Sequence, residues 1–248
     1  SLITGLFLIS TFLGCGEKES GGADEELILL CGSSFASPCN ELTEAFTKET
    51  GIKVISSFAG SEEFLPLVKT GGKGDILITH DPFLQYVKDA KRYQSHAAVG
   101  YVAPVLTVVP GNPKNIKSIE DLANPGIKVA LSNPEYSTCG EMVEALLKKK
   151  GLYEKVMENV DSRLTKGHST LGNYIKVKVV DAVIMWNGVA NTFGDAVEVV
   201  KAPYEYEEEI GVHVMGLNNQ DRAEDIQKFI DYTLKHGKGI FKKHGYNK

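Results

Sequence analysis

Residues 26–79 read ELILLCGSSFASPCNELTEAFTKETGIKVISSFAGSEEFLPLVKTGGKGDILIT, and the order of patterns in this stretch decides the fold. Residues 26–31 (ELILLC) form a continuous apolar run, as a strand covered on both faces requires. Ser37 and Pro38 then open a helix, with Ser at the cap and Pro at the first helical position. Leu42, Ala45 and Phe46 mark its buried stripe, and Gly51 ends it. A strand follows over 52–58, then a helix that opens at Ser61 and closes at Gly71 and Gly72, then a strand over 75–79. Strand, helix, strand, helix, strand in this order predicts a mostly parallel sheet with right-handed crossovers, an α/β fold.

The same alternation continues outward. A helix near 82–90 precedes residues 101–109 (YVAPVLTVV), a long apolar strand interrupted by Pro104, which suits a crossing between two lobes. A second α/β unit is expected from a helix at 118–123, a strand at 128–131 and helices at 137–150 and 153–159. A short helix from Thr170 and strands at 181–186 and 196–200 complete it. Residues 211–217 (GVHVMGL) read as a further strand. The end, 222–246, is a long amphipathic helical region with an apolar stripe at Ile226, Phe229, Ile230 and Leu234. No internal repeat is present.

The 248 residues carry 27 Lys plus Arg against 32 Asp plus Glu, a net charge of −5, and no dense basic block. Nucleic-acid binding, which needs a concentrated basic face, is therefore excluded. A hydrophobic fraction of 42% supports a buried core. Residues 2–13 (LITGLFLISTFL) are uncharged and apolar, but too short for the roughly 20 residues of a membrane-spanning helix. The run fits the apolar part of a secretory signal that begins before Ser1. Leu13-Gly14-Cys15-Gly16 resembles a bacterial lipobox, which implies a lipidated Cys15 as mature N-terminus, with Phe12 departing from the usual Leu. Residues 16–26 (GEKESGGADEE) are polar, as a tether should be. The other cysteines are Cys31, Cys39 and Cys139; a Cys31–Cys39 or a Cys39–Cys139 disulfide both stay open, and one thiol is left over.

Taken together, residues 31–38 (CGSSFASP), 44–64 (EAFTKETGIKVISSFAGSEEF), 73–82 (KGDILITHDP), 108–140 (VVPGNPKNIKSIEDLANPGIKVALSNPEYSTCG), 180–186 (VDAVIMW) and 240–248 (IFKKHGYNK) resemble the molybdate-binding ModA family of ABC-transporter solute-binding proteins. The resemblance implies a type II periplasmic-binding fold: two α/β lobes, joined by two crossing strands, that close on a small oxyanion. It divides the chain into a signal at 1–14, a lipidated Cys and tether at 15–26, a first lobe at 27–103 and 210–248, and a second lobe at 104–209. The second crossing falls just before Gly211.

A tetrahedral dianion can be held without Lys or Arg by free N–H groups and hydroxyls at helix N-termini. Three turns offer such donors: Ser33 and Ser34, Gly60 and Ser61, and the run Ser137, Thr138, Cys139 and Gly140. By resemblance, the family's donors fall on Ser34, Ser61, Cys139, His168 and Trp186, with Asn187 as a further donor beside Trp186. Cys139, His168 and Trp186 depart from the family's usual residues. The alternative is the same fold binding another small anion, or a soft metal ion through Cys139 and His168, with Cys39, since thiolate and imidazole suit such ions.

No catalytic set stands out: there are no paired carboxylates, no GxxxxGK[ST] loop and no Ser/His/Asp group. The expectation is a monomeric binding lipoprotein without cofactor or resident metal, exported to the periplasm or the outer face of the cytoplasmic membrane. It delivers molybdate or tungstate to an ABC permease and touches the membrane only through its lipid. An all-donor site should refuse hydrogen phosphate, whose proton needs an acceptor.

Overall fold

The computed structural model describes residues 26–201 and 210–247. The first unit runs β1 (Leu27–Gly32), α1 (Ala36–Thr50), β2 (Val54–Ala59), α2 (Ser61–Lys69), β3 (Ile76–His80), α3 (Phe83–Asp89) and β4 (Tyr93–Val102). The second runs β5 (Pro104–Val108), β6 (Val129–Ser132), α4 (Thr138–Lys149), α5 (Tyr153–Val160), β7 (Leu164–Thr165), α6 (His168–Lys176), β8 (Ala182–Trp186), α7 (Asn187–Thr192) and β9 (Glu198–Val199). The chain then returns to the first unit through β10 (Ile210–Leu217) and α8 (Ala223–Lys243).

Two five-stranded sheets result, in the orders β2-β1-β3-β10-β4 and β7-β6-β8-β5-β9. β1 lies parallel to β2 and β3, as continuous apolar strands with helical crossovers require. β10 enters antiparallel between β3 and β4. The chain leaves the first sheet at the end of β4 and joins the second at Pro104, so a single residue, Ala103, separates the two. The return before Gly211 falls within 202–209, outside the described residues, as do the signal, Cys15 and most of the tether.

Three local expectations need correction. α1 starts at Ala36 after a short 3-10 turn over Ser33–Phe35, so Ser37 and Pro38 sit inside its first turn. Proline is tolerated there because its missing N–H has no intrahelical partner in any case. β4 begins at Tyr93, eight residues before the apolar run read as strand, because its first half is a half-exposed edge that only β10 and α8 cover. Leu234 does not belong to the buried stripe of α8, being 59% exposed; Thr233 and Gly237 face inward instead. Gly237 is required by closeness, since a Cβ there would stand 2.7 Å from a Val99 methyl.

The larger of two core clusters reaches through both units, from Leu27, Phe46 and Ile78 to Val129, Leu147 and Ile184, and a smaller one joins Leu30, Phe64, Leu77, Val87 and Met215 within the first unit. Among the described residues, no helix is long and apolar enough to cross a membrane. Cys31, Cys39 and Cys139 are all free and buried. The Cys39 thiol rests 3.8 Å from Ser56 Oγ and forms a second contact with the Cys31 thiol.

Candidate oxyanion site between the two sheets

The carboxyl ends of five strands, β1, β2, β3, β7 and β8, converge with the turn after β6 on one cavity of about 30 Å3. From the first unit its wall receives Ser33 and Ser34 after β1, Gly60, Ser61 and Glu62 at the start of α2, and His80 at the end of β3. From the second it receives Ser137 and Thr138 at the start of α4, Lys166 and His168 at the start of α6, and Trp186 at the end of β8. Helix starts thus face one another across the gap, with the positive ends of three helix dipoles pointing inward. Two roomier hollows, of about 440 and 270 Å3, bring together no such set of helix starts.

The hydroxyls are oriented by their neighbours. Thr79, fully buried on β3, donates to Ser61 Oγ at 2.7 Å, which leaves the Ser61 proton free for the cavity. Ser34 is positioned from the far end of the chain: the Tyr246 hydroxyl donates to its carbonyl oxygen. The Tyr246 ring lies against Phe35 and also covers Gly188 on α7, where a Cβ would stand 2.2 Å from the ring, so the C-terminus braces both units.

At the start of α4, the Ser137 hydroxyl accepts from Gly140 N–H at 3.3 Å. The Thr138 N–H and hydroxyl both donate to Glu62 Oε1 at 3.0 Å. A carboxylate of the first unit therefore caps a helix of the second, a favourable place for negative charge. The Cys139 N–H remains as the unbonded donor of that turn.

His168 stacks on Trp186, ring centroids 5.7 Å apart, and its Nδ1 accepts from Trp186 N–H at 3.4 Å. Nδ1 as acceptor puts the ring proton on Nε2. Burial, reinforced by His80, drives the His168 pKa down to about 3, so the ring is a neutral donor and not a cation. Trp186 lines the cavity, and among the described residues its indole N–H meets no acceptor, so it too can donate.

Of the residues read from sequence, Ser33, Ser34, Gly60, Ser61, Thr138, His168 and Trp186 come together around this cavity. Asn187 does not. Its side chain accepts from Ala103 N–H at 3.1 Å and donates to Gly245 O at 2.9 Å, tying the crossing to the C-terminus. The Cys139 side chain does not line the cavity either; it is fully buried in the core, and burial pushes its thiol pKa up. A soft-metal site through Cys139 and His168 is therefore not assembled, and among the described residues no three His, Cys, Asp or Glu side chains converge as metal ligands.

His80 and Lys166 were not legible as site residues. Lys166 is exposed at the rim, its ammonium 4.3 Å from the Tyr136 ring centre, so the site has one cation at its mouth after all. Nothing in the local sequence marked either residue, because each is placed by the strand that precedes it.

Residues 27–247 match the family of bacterial extracellular solute-binding proteins. The molybdate-binding protein ModA of Mycobacterium tuberculosis strain H37Rv is 24% identical over 173 residues, 61% of this chain and 63% of that protein's length. In structure, the substrate-binding domain of a putative molybdenum ABC transporter from Clostridium difficile superposes with a TM-score of 0.69, at 17% identity over 90% of this chain and 98% of that one. The sulfate-binding protein SubI of M. tuberculosis gives 0.70, at 17% identity over 89% and 86%. The fold is thus that of the two-lobed periplasmic binding proteins, and the chain belongs to the bacterial extracellular solute-binding protein family.

Proposed function

We propose that this protein is the binding subunit of an ABC importer that captures a tetrahedral oxyanion, molybdate or tungstate, between its lobes (27–103 with 210–248, and 104–209) and delivers it to a membrane permease. The observation that carries this reading is the convergence of hydroxyl and N–H donors from both sheets on one small cavity: Ser34, Ser61, Cys139 N–H, His168 and Trp186. Donors fixed by folding select an anion by size, because a smaller one cannot reach both walls at about 2.7 to 3.2 Å. The likeness to molybdate-binding relatives supports the choice of anion. Cys15 would carry the lipid that holds a monomeric protein at the outer face of the cytoplasmic membrane. Calorimetric titration with molybdate, tungstate, sulfate and phosphate tests the reading; it expects saturable binding of the first two, and absence of heat from all four would refute it.

A further inference from the structure

His80 ends β3 on the cavity wall, 5% exposed, with its ring centre 5.4 Å from that of Trp186 and 5.4 Å from that of Phe83. Its Nδ1 lies 2.7 Å from the Asp81 carbonyl oxygen. A carbonyl only accepts, so Nδ1 carries the ring proton and Nε2, which makes no bond among the described residues, presents a lone pair. The Ser137 oxygen on this wall is already engaged by Gly140 N–H, and the groups left for an anion are donors: the Ser61 hydroxyl, the Cys139 N–H, the His168 Nε2–H and the Trp186 indole. The second acceptor nearby, Glu62, already receives two bonds from Thr138 through one oxygen.

We infer that His80 Nε2 is the proton acceptor of the oxyanion cavity, so that a tetrahedral dianion is bound together with one proton, brought by the anion or taken from solvent onto the ring. This rests on the oxyanion reading above. It also removes the ground for expecting hydrogen phosphate to be refused, since that anion brings a proton for which the wall now has an acceptor. The charges facing His80 are Glu62 on α2, the neighbouring Asp81, His213 on β10 across Asp81, and His168 on α6. Burial holds the ring below its ordinary value, so it is neutral near pH 7. A dianion beside it favours the charged imidazolium and reverses that balance. His168 is unsuited to the same task, because its Nδ1 is already occupied by Trp186 N–H.

The test is calorimetry of the full chain with molybdate, which carries no proton near neutral pH, in buffers of different ionisation enthalpy. About one proton should be taken up per anion bound, and affinity should fall by up to about tenfold per pH unit above neutrality. His80→Asn keeps a donor for the Asp81 carbonyl and removes Nε2; it should bind molybdate with proton uptake abolished. Glu62→Gln should leave the uptake in place. Molybdate binding without proton uptake, or uptake that persists in H80N and vanishes in E62Q, overturns the inference while leaving the oxyanion reading intact. The buffer series on the unaltered protein decides the matter even if H80N does not fold. Absence of binding by any oxyanion overturns both.

Discussion

Under the function proposed above, replacing Ser61 by Ala removes a donor to the anion and, at the same time, the acceptor of the Thr79 hydroxyl, and the two losses are separable. The Ser61 proton is free for the cavity because Thr79 donates to its oxygen at 2.7 Å. A hydrogen bond to a charged acceptor is worth roughly 1.5 to 3 kcal/mol, so Ser61→Ala should weaken oxyanion binding by about tenfold to about 150-fold. Thr79 is fully buried, so its orphaned hydroxyl should cost about 1 to 3 kcal/mol of stability. For a chain of this size that lowers Tm by roughly 2 to 12 °C. Adding Thr79→Val takes away the orphaned donor and should recover much of the stability and none of the affinity. Calorimetric titration and thermal unfolding of the parent, S61A and S61A/T79V read the two quantities independently. Binding by S61A within about twofold of the parent, or affinity restored in the double variant, would refute the assignment of Ser61 as a ligand donor.

Glu62→Ala removes both bonds to Thr138 and should shift the anion-free protein towards a more open form, seen as a larger radius of gyration by small-angle scattering. An unchanged radius would show that other contacts hold the units together. Burial lowers the folded pKa of His168 from 6.5 to about 3, so between those values the unfolded chain binds the extra proton. Stability contributed by the neutral ring is thus present above about 6.5 and is lost as pH falls towards about 3. His168→Gln should flatten that part of the stability profile in urea titrations; an unaltered slope counts against a buried neutral ring. Trp186 is the sole tryptophan, and it lies in the cavity wall between His80 and His168, so its fluorescence should change on saturation with molybdate in parallel with the calorimetric isotherm. A silent signal at proven saturation would place the anion elsewhere.

The order of strands and helices was legible in the sequence because each element is a local pattern. ELILLC needs cover on both faces, Gly51 needs a left-handed backbone at φ 77° to end α1, and a Ser or Gly between a strand and a helix leaves free donors at the helix start. Those same turns made Ser34, Ser61 and Thr138 readable as site residues, since the carboxyl ends of parallel strands lie on one edge of their sheet. Only the tertiary structure decided which side chains share the cavity. Tyr246 reaches Ser34 across 212 residues because β10 and α8 return the chain to the first unit, and Glu62 reaches Thr138 across 76 because the two sheets face each other; no local spacing sets either contact. His80 was read only as the residue after a strand, yet strand register turns it to the cavity. Asn187, one residue beyond Trp186, is turned instead to Ala103 and Gly245. Cys139 stands in the first turn of α4, beside Ser137 and Thr138 on the cavity wall, yet its thiol goes to the core because that turn packs the side chain behind its amides. Sequence names the residue at a helix start; the packing of that helix decides whether its main chain or its side chain meets the ligand.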